Sequence, residues 1–147
     1  MKFILRCLVL LTILCGPTGG AIAADFIGSV KTISGEAGIV RQGDRWAVKI
    51  GDHIMQGDIL VTGSDSSMGV IFRDDTILSL GESSQITVSD FVFDPVHDNV
   101  SFISNMAEGS AQFITGQIAK VAPENMRVET PLATIGIRGT RFLVKVD

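Results

Sequence analysis

The chain has 147 residues, of which 46% are hydrophobic and 19% are charged, and its formal net charge is −4. The basic residues are scattered singly, which argues against nucleic acid and anionic lipid surfaces as partners, since both are bound by clustered lysine and arginine.

The N-terminal segment has the layout of a cleaved signal peptide. Two basic residues precede an apolar run over 8–14, and Ala21 and Ala23 have the spacing of a signal peptidase site. The apolar run is shorter than the ~20 residues that a membrane-spanning helix needs. We therefore expect a signal peptide of residues 1–23, with cleavage one residue later as the alternative, and one mature domain of residues 24–147 in the periplasm or outside the cell.

Both cysteines, Cys7 and Cys15, fall within this segment. Leu14 precedes Cys15 where a lipid-modified signal needs a small residue, so we do not expect a lipoprotein. The mature domain is expected to contain no disulfide and no cysteine-based metal site. Loss of the two basic residues would lower the net charge from −4 to −6.

Short apolar runs that alternate with polar residues, separated by glycine and aspartate turns, predict strands throughout the mature chain. One segment, Thr115 to Val121, has the spacing of a single helical turn that Pro123 would end. We therefore expect an all-β fold, a compact β-sandwich or β-roll of about ten short strands. The predicted strands are Gly35 to Arg41, Ile59 to Thr62, Met68 to Phe72, Thr76 to Leu80, Gln85 to Phe93, Val100 to Ile103, Arg127 to Thr130 and, with a glycine break, Thr134 to Val146.

Two glycine–aspartate pairs, Gly51-Asp52 and Gly57-Asp58, lie six residues apart. This spacing suggests two stacked tight turns, as in a β-roll. Two copies are too few to indicate a solenoid, which needs at least three stacked units.

Taken in chain order, these motifs resemble the FecR-type domain family. The resemblance covers almost the whole mature chain. It rests on the two glycine–aspartate pairs, Thr62-Gly63, Asp74-x-Thr76, Phe93-Asp94-Pro95, Thr130-Pro131 and the run from Ile135 to Thr140.

The best-known members of that family resemble inner-membrane regulators. They have a cytoplasmic segment that controls a sigma factor, one membrane helix, and this β domain in the periplasm, where it receives a signal from an outer-membrane transporter. Here we expect only a signal peptide before the β domain, and therefore a stand-alone exported member without the sigma-regulating arm. Asp75 stands where the family usually has glycine, and we expect a slightly altered turn with no loss of fold.

The sequence predicts no catalytic residues. It has no mature cysteine and no Gly-x-Ser-x-Gly motif, and only His53 and His97 could act as general bases. A hydrolase would become plausible only if the fold placed one of them against a serine and an aspartate. We interpret Asp74 and Asp75 as a solvated turn.

The segment 94–99 gathers oxygen ligands and His97, but it matches no metal-binding signature, and we interpret it as a plain turn. We expect no metal and no cofactor.

Arg138 is the first of three candidate binding residues. It stands between Gly136 and Gly139 in an apolar strand. The preferred interpretation is structural: its guanidinium pairs with carbonyls or with a turn aspartate such as Asp52 or Asp58, and the glycines leave room for close backbone approach. The alternative is recognition of a carboxylate or sulfate on a partner.

Trp46 and Arg45 are the other two candidates. An exposed indole beside a cation can stack on a sugar ring or anchor a protein interface. The chain contains no tyrosine, so no aromatic platform is expected around Trp46. Packing of Trp46 in the core is therefore the preferred interpretation.

The sequence thus favours a non-catalytic exported module that binds or scaffolds another envelope protein, as an accessory to signalling or surface assembly. A carbohydrate- or peptidoglycan-binding domain is the alternative, and a hydrolase is a weaker one.

We predict that the protein recovered from the periplasm begins at Ala24 or Asp25 and contains no disulfide, because the small-residue cleavage site lies there and both cysteines precede it. Intact-mass spectrometry checks this. A mass that includes residues 1–23 would contradict the expected localisation.

Overall fold

The computed structural model describes residues 25–147, so the expected signal peptide and cleavage site lie outside the described residues. The described chain is built mainly of strands, with one short helix, α1 (Gln117–Val121), and two 3₁₀ turns, Pro95–His97 and Pro123–Asn125. The strands are β1 (Gly28–Ser34), β2 (Ala37–Arg41), β3 (Asp44–Ala47), β4 (His53–Ile54), β5 (Ile59–Thr62), β6 (Ser67–Phe72), β7 (Ile77–Leu80), β8 (Gln85–Asp94), β9 (Asn99–Ile114), β10 (Met126–Glu129), β11 (Thr134–Gly136) and β12 (Arg141–Val146).

The predicted all-β class is confirmed, and the described residues form twelve strands rather than about ten. Three strands were not predicted from the sequence. β1 follows an irregular pattern with a bulge, β3 is exposed at all four positions, and β4 has only two residues. β9 extends well beyond the predicted 100–103. Its second part was not predicted, because small and polar residues there separate the apolar ones.

The sheet curls into two halves that share β9. One half has the order β4-β1-β6-β7-β9-β12, and the other has the order β3-β2-β5-β8-β9-β10-β11. Neighbouring strands are antiparallel except β9 and β10, which are parallel. The inner faces of both halves contribute to one hydrophobic core. Within residues 25–147, no helix is long and apolar enough to cross a membrane.

The change from one half to the other occurs near Gly109 of β9. Gly109 has φ +88°, a backbone conformation that favours glycine. Ser84 ties the adjoining turn to the strand: its Oγ accepts the Ser110 N–H at 2.9 Å and donates to the Glu82 carbonyl at 3.0 Å. An added Cβ at Gly109 would meet the backbone of Ser84, so only glycine fits this bend.

Five phenylalanine side chains connect across the interior. Phe72 and Phe91 have ring centroids 5.9 Å apart, and both contact Phe102, at 4.9 Å and 5.5 Å. The ring centroids of Phe102 and Phe113 are 6.4 Å apart, and the Phe113 ring stacks on the Phe142 ring of β12 with centroids 4.9 Å apart. Edge-to-face and offset contacts of this kind add to the energy of burial, so this series joins the two halves and the C-terminal strand.

The turn between β6 and β7 corrects one expectation. Asp75 adopts φ +67° and is exposed, the left-handed conformation expected at this turn. Asp74, however, is fully buried rather than solvated, because its carboxylate accepts hydrogen bonds from Thr76 N at 3.1 Å and Thr76 Oγ1 at 2.7 Å. The Ile118 N–H also points to it, at 3.4 Å. Protein donors therefore take the place of water around this carboxylate inside the fold.

The predicted helical turn at 115–121 is confirmed as α1. Gly116 precedes it and packs directly on the backbone of Asp74, Asp75 and Thr76. The Gly116 N–H donates to Thr76 Oγ1 at 3.0 Å, and the next N–H, of Gln117, donates to the Asp74 carbonyl at 2.6 Å. The close backbone approach that we expected at Gly136 thus occurs at Gly116.

We predict that Gly116→Ala lowers the free energy of unfolding by about 2 kcal/mol or more, because its Cβ would overlap backbone atoms that cannot move independently. Gly136→Ala is the matched control, since an added Cβ there meets nothing within 4 Å. Urea unfolding of both variants makes the comparison. Equal stability of the two variants would contradict the packing at Gly116.

Candidate binding groove

The two glycine–aspartate pairs form two copies of one turn. In the first, the Asp52 carboxylate accepts the Lys49 N–H at 2.8 Å; in the second, the Asp58 carboxylate accepts the Met55 N–H at 2.8 Å. In return, the Asp52 N–H donates to the Lys49 carbonyl and the Asp58 N–H donates to the Met55 carbonyl, both at 3.1 Å. The glycines have φ +96° at Gly51 and +86° at Gly57, so the repeat in sequence is a repeat in structure.

The two turns carry the chain between the halves of the sheet. The Gly51 N–H donates to the Val30 carbonyl of β1 at 2.8 Å, which attaches the first turn to one half. The Gly57 N–H donates to the Val88 carbonyl of β8 at 2.8 Å, which attaches the second turn to the other half. The short strand β4 lies between these two attachments.

The buried Asp58 forms an ion pair with Arg41, whose side chain is 34% exposed. The Asp58 side chain has no exposed surface, and its two oxygens accept hydrogen bonds from Arg41 Nε at 2.6 Å and Nη2 at 2.7 Å. The hydrogen bond that Arg41 donates to Asp58 raises the pKa of Arg41 above its ordinary value, so the guanidinium stays charged. A planar fork of this kind fixes the position of both side chains.

Arg41 in turn positions Trp46. The guanidinium carbon lies 5.2 Å from the centroid of the indole, which is a cation–π contact, and Nη2 donates to the His53 carbonyl at 3.3 Å. Trp46 therefore does not pack in the core as expected. It lies on edge strand β3 with 36% of its surface exposed.

The hairpin of β2 and β3 explains this placement. Gln42 and Gly43 have φ +53° and +90°, the two positive values of a type I′ turn, which sets the register Ile39 opposite Trp46 and Val40 opposite Arg45. Side chains alternate across a strand, so Trp46 shares the inner face with buried Ile39 and Arg45 lies on the outer face.

Trp46 and Arg45 border an open groove with a volume of about 320 Å³. Its apolar lining comes from the end of β1 and from β2 and β3, and its charged groups are Glu36 and Arg45, which are both exposed. The lining residues are Ile33, Gly35, Glu36, Ala37, Gly38, Arg45, Trp46, Ala47 and Val48. The groove thus brings one acidic and one basic side chain to the strand that carries Trp46.

Arg138 is not part of this groove. It is exposed, and the aspartates that we expected to hold it have other partners: Asp58 binds Arg41, and Asp52 binds the Lys49 N–H. The structure also places nothing within 4 Å of an added Cβ at Gly136 or Gly139, so no backbone closes around these glycines. Arg138 borders a separate open cavity of about 430 Å³ with Glu124 and Arg127.

Neither histidine is placed for nucleophilic catalysis. The His53 ring stacks on Phe26 with centroids 4.2 Å apart, and His97 Nδ1 lies 2.7 Å from Asp94 Oδ2 on the surface. No serine hydroxyl bonds to either ring in the part of the chain that the structure describes. Residues 25–147 also contain no group of three or more His, Cys, Asp or Glu side chains that could hold a metal ion.

Sequence reasoning singled out Trp46 and Arg45 but missed Arg41, which fixes Trp46 in place. The signal that could have revealed it is the pattern around Asp58, an aspartate followed directly by the apolar run 59–61. A carboxylate at the start of a buried strand needs hydrogen-bond donors or a cation, and Arg41 ends the strand paired with that run.

A family model described as FecR protein matches residues 58–147. The matched span begins at Asp58 and includes every strand from β5 to β12, so Arg41, Arg45 and Trp46 precede it. No curated protein and no solved structure matches the chain.

We predict that Arg41→Ala lowers the free energy of unfolding by about 3 kcal/mol, because it leaves the buried Asp58 carboxylate without its cation. The melting temperature should fall by roughly 10 °C. Arg138→Ala is the matched control and should melt like the unaltered protein, since Arg138 is exposed. A larger loss for Arg138→Ala than for Arg41→Ala would reverse the assignment of these two arginines.

Proposed function

The chain belongs to the FecR family, and from this we propose that it is a non-catalytic module that binds or scaffolds another protein of the cell envelope, as an accessory to signalling. The family is involved in the regulation of envelope signalling and is associated with the cell envelope. The observation that carries the proposal for this chain is the groove beside Trp46. We propose the periplasm or the cell exterior as its location, which the signal-peptide layout of residues 1–23 supports.

Trp46 has the properties of an interface anchor. Its indole is partly exposed, yet Arg41 holds one side of it in place, and Arg41 is itself held by the buried Asp58. Binding to a side chain that is already ordered costs less conformational entropy than binding to a mobile one. Tryptophan and arginine are also the residue types that most often dominate binding energy at protein interfaces.

The charges at the groove favour a protein as the occupant. Glu36 and Arg45 lie on its border and can each pair with the opposite charge on a polypeptide. The strand register supports the same conclusion, because the amides of Arg45 and Ala47 face away from β2 and can bond to an approaching chain. A glycan would stack on the flat face of an aromatic ring, and Arg41 already occupies one of the two faces of the Trp46 ring.

We predict that a photoreactive amino acid in place of Ala47 crosslinks to one discrete envelope protein in cells, because Ala47 lines the groove beside Trp46. The same amino acid in place of Ser79, an exposed position on β7 in the other half of the sheet, should give no such product. Mass spectrometry identifies the captured protein, and binding is then measured with both proteins purified.

Arg45→Glu should remove the crosslinked product and weaken binding of the purified partner by about tenfold, because it reverses an exposed charge at the groove. Its melting temperature should stay unchanged, which separates loss of binding from loss of fold. Crosslinking from position 79 but not 47 would contradict the proposed surface. Co-sedimentation of the protein with murein sacculi, abolished by Trp46→Ala, would instead support the glycan-binding alternative.

A further inference from the structure

Strand β12 has a free edge in the part of the chain that the structure describes. It pairs with β9 alone, from Arg141 opposite Ile114 to Val146 opposite Gly109. The Thr115 N–H donates to the Thr140 carbonyl at 2.9 Å. From this pair onward, every second residue of β12 hydrogen-bonds to β9. Phe142, Val144 and Val146 therefore bond to β9, and the N–H and C=O groups of the residues between them point away from it.

The outward-pointing backbone groups belong to Arg141, Leu143 and Lys145. Natural edge strands are usually short or irregular, or carry charge at their centre, because such a ladder invites pairing with another chain. β12 has six residues, and Leu143 at its centre is 68% exposed. On its other face, Phe142 and Val146 are only half-buried. The strand thus offers apolar surface on both faces beside unpaired backbone groups.

The charges along β12 are arranged so that the strand complements itself. Arg141 lies at its beginning, and Asp147, whose carboxylate is 3.1 Å from Lys145 Nζ, follows its end. When two such strands run antiparallel, the beginning of one meets the end of the other. Arg141 of one copy then lies opposite Asp147 of the second, and this pairing of opposite charges selects one register.

The same register also satisfies the apolar side chains. With Arg141 opposite Asp147, Leu143 lies opposite Lys145 and can pack on its aliphatic stem. On the inner face, Phe142 lies opposite Val146, and Val144 lies opposite its own copy. Each half-buried side chain gains an apolar neighbour, and every outward-pointing N–H and C=O group finds a partner.

We propose that two copies of this chain associate through antiparallel pairing of β12, which continues the sheet across a two-fold axis. A two-fold interface uses the same surface on both partners, which is the self-complementarity that β12 shows. This surface is distinct from the groove at β3, so the proposal does not rest on the function proposed above.

The first test uses Leu143→Pro, with Leu143→Thr as its matched control. Proline removes an N–H that faces away from β9, so the monomer keeps its own ladder, but the edge can no longer pair. Sedimentation equilibrium should show a dimer for the unaltered protein and a dissociation constant at least about a hundredfold higher for Leu143→Pro. Leu143→Thr keeps the N–H and should weaken the dimer by no more than about tenfold. Thermal unfolding checks that both variants fold.

The second test exchanges the charges. Arg141→Glu and Asp147→Lys should each weaken self-association by about tenfold, because each places like charges opposite one another. An equimolar mixture of the two variants should form a heterodimer as tight as the original dimer. In that heterodimer the introduced glutamate meets the introduced lysine, and the remaining Arg141 meets the remaining Asp147. Native mass spectrometry distinguishes the heterodimer from the two homodimers by mass.

Amide hydrogen exchange locates the interface directly. In dilute protein the amides of Arg141, Leu143 and Lys145 should exchange fast and those of Phe142 and Val144 slowly; at dimer concentrations all five should be protected. A protein that stays monomeric at every concentration, a dimer unaffected by Leu143→Pro, or a charge-exchange mixture that does not associate would each overturn the proposal.

Discussion

The structure depends on one strand that belongs to both halves of the sheet. β9 pairs with β8 and β10 over its first part and with β7 and β12 over its second, so its two ends must face different partners. The bend near Gly109 makes this possible, because a positive φ turns the strand where any other residue would meet Ser84. The apolar faces of the two halves then enclose one core, and the sheet leaves its edges free at β3, β4, β11 and β12 within the residues that the structure describes.

The two glycine–aspartate turns show how equivalent sequence motifs take on different roles. Both aspartates bond the backbone N–H three residues before them, but Asp52 keeps some exposure, whereas Asp58 is fully buried. Asp58 is paired with a cation, which Arg41 supplies from the end of the paired strand. Replacing such a pair with apolar residues is often neutral for stability, so we assign its value to specificity: it fixes Trp46 at the rim of the core.

The two proposed surfaces use different edges of the sheet. The groove at β3 offers an anchored indole and charges of both signs to a different protein, whereas β12 offers a self-complementary ladder to a second copy. Neither surface needs the other, so self-association would leave the groove open and would present two copies of it. A dimeric module can hold a dimeric partner more tightly than a single site can, through the effective concentration of the second site.

The sequence by itself determined the all-β class, most strand positions, the glycine–aspartate turns, the helical turn before Pro123 and the left-handed Asp75. These features follow from local rules: alternation, turn chemistry and backbone tolerance act within a few residues. Only the tertiary structure decided which charges pair. Arg138 and Arg41 both adjoin strand ends near glycine, and the residues next to each arginine do not distinguish them. Arg41 lies beside Asp58 because β2 pairs with β5, whereas Arg138 follows β11 at the surface. Burial of a carboxylate is a property of the closed sheet, so its partner can be identified only once the strands are in register.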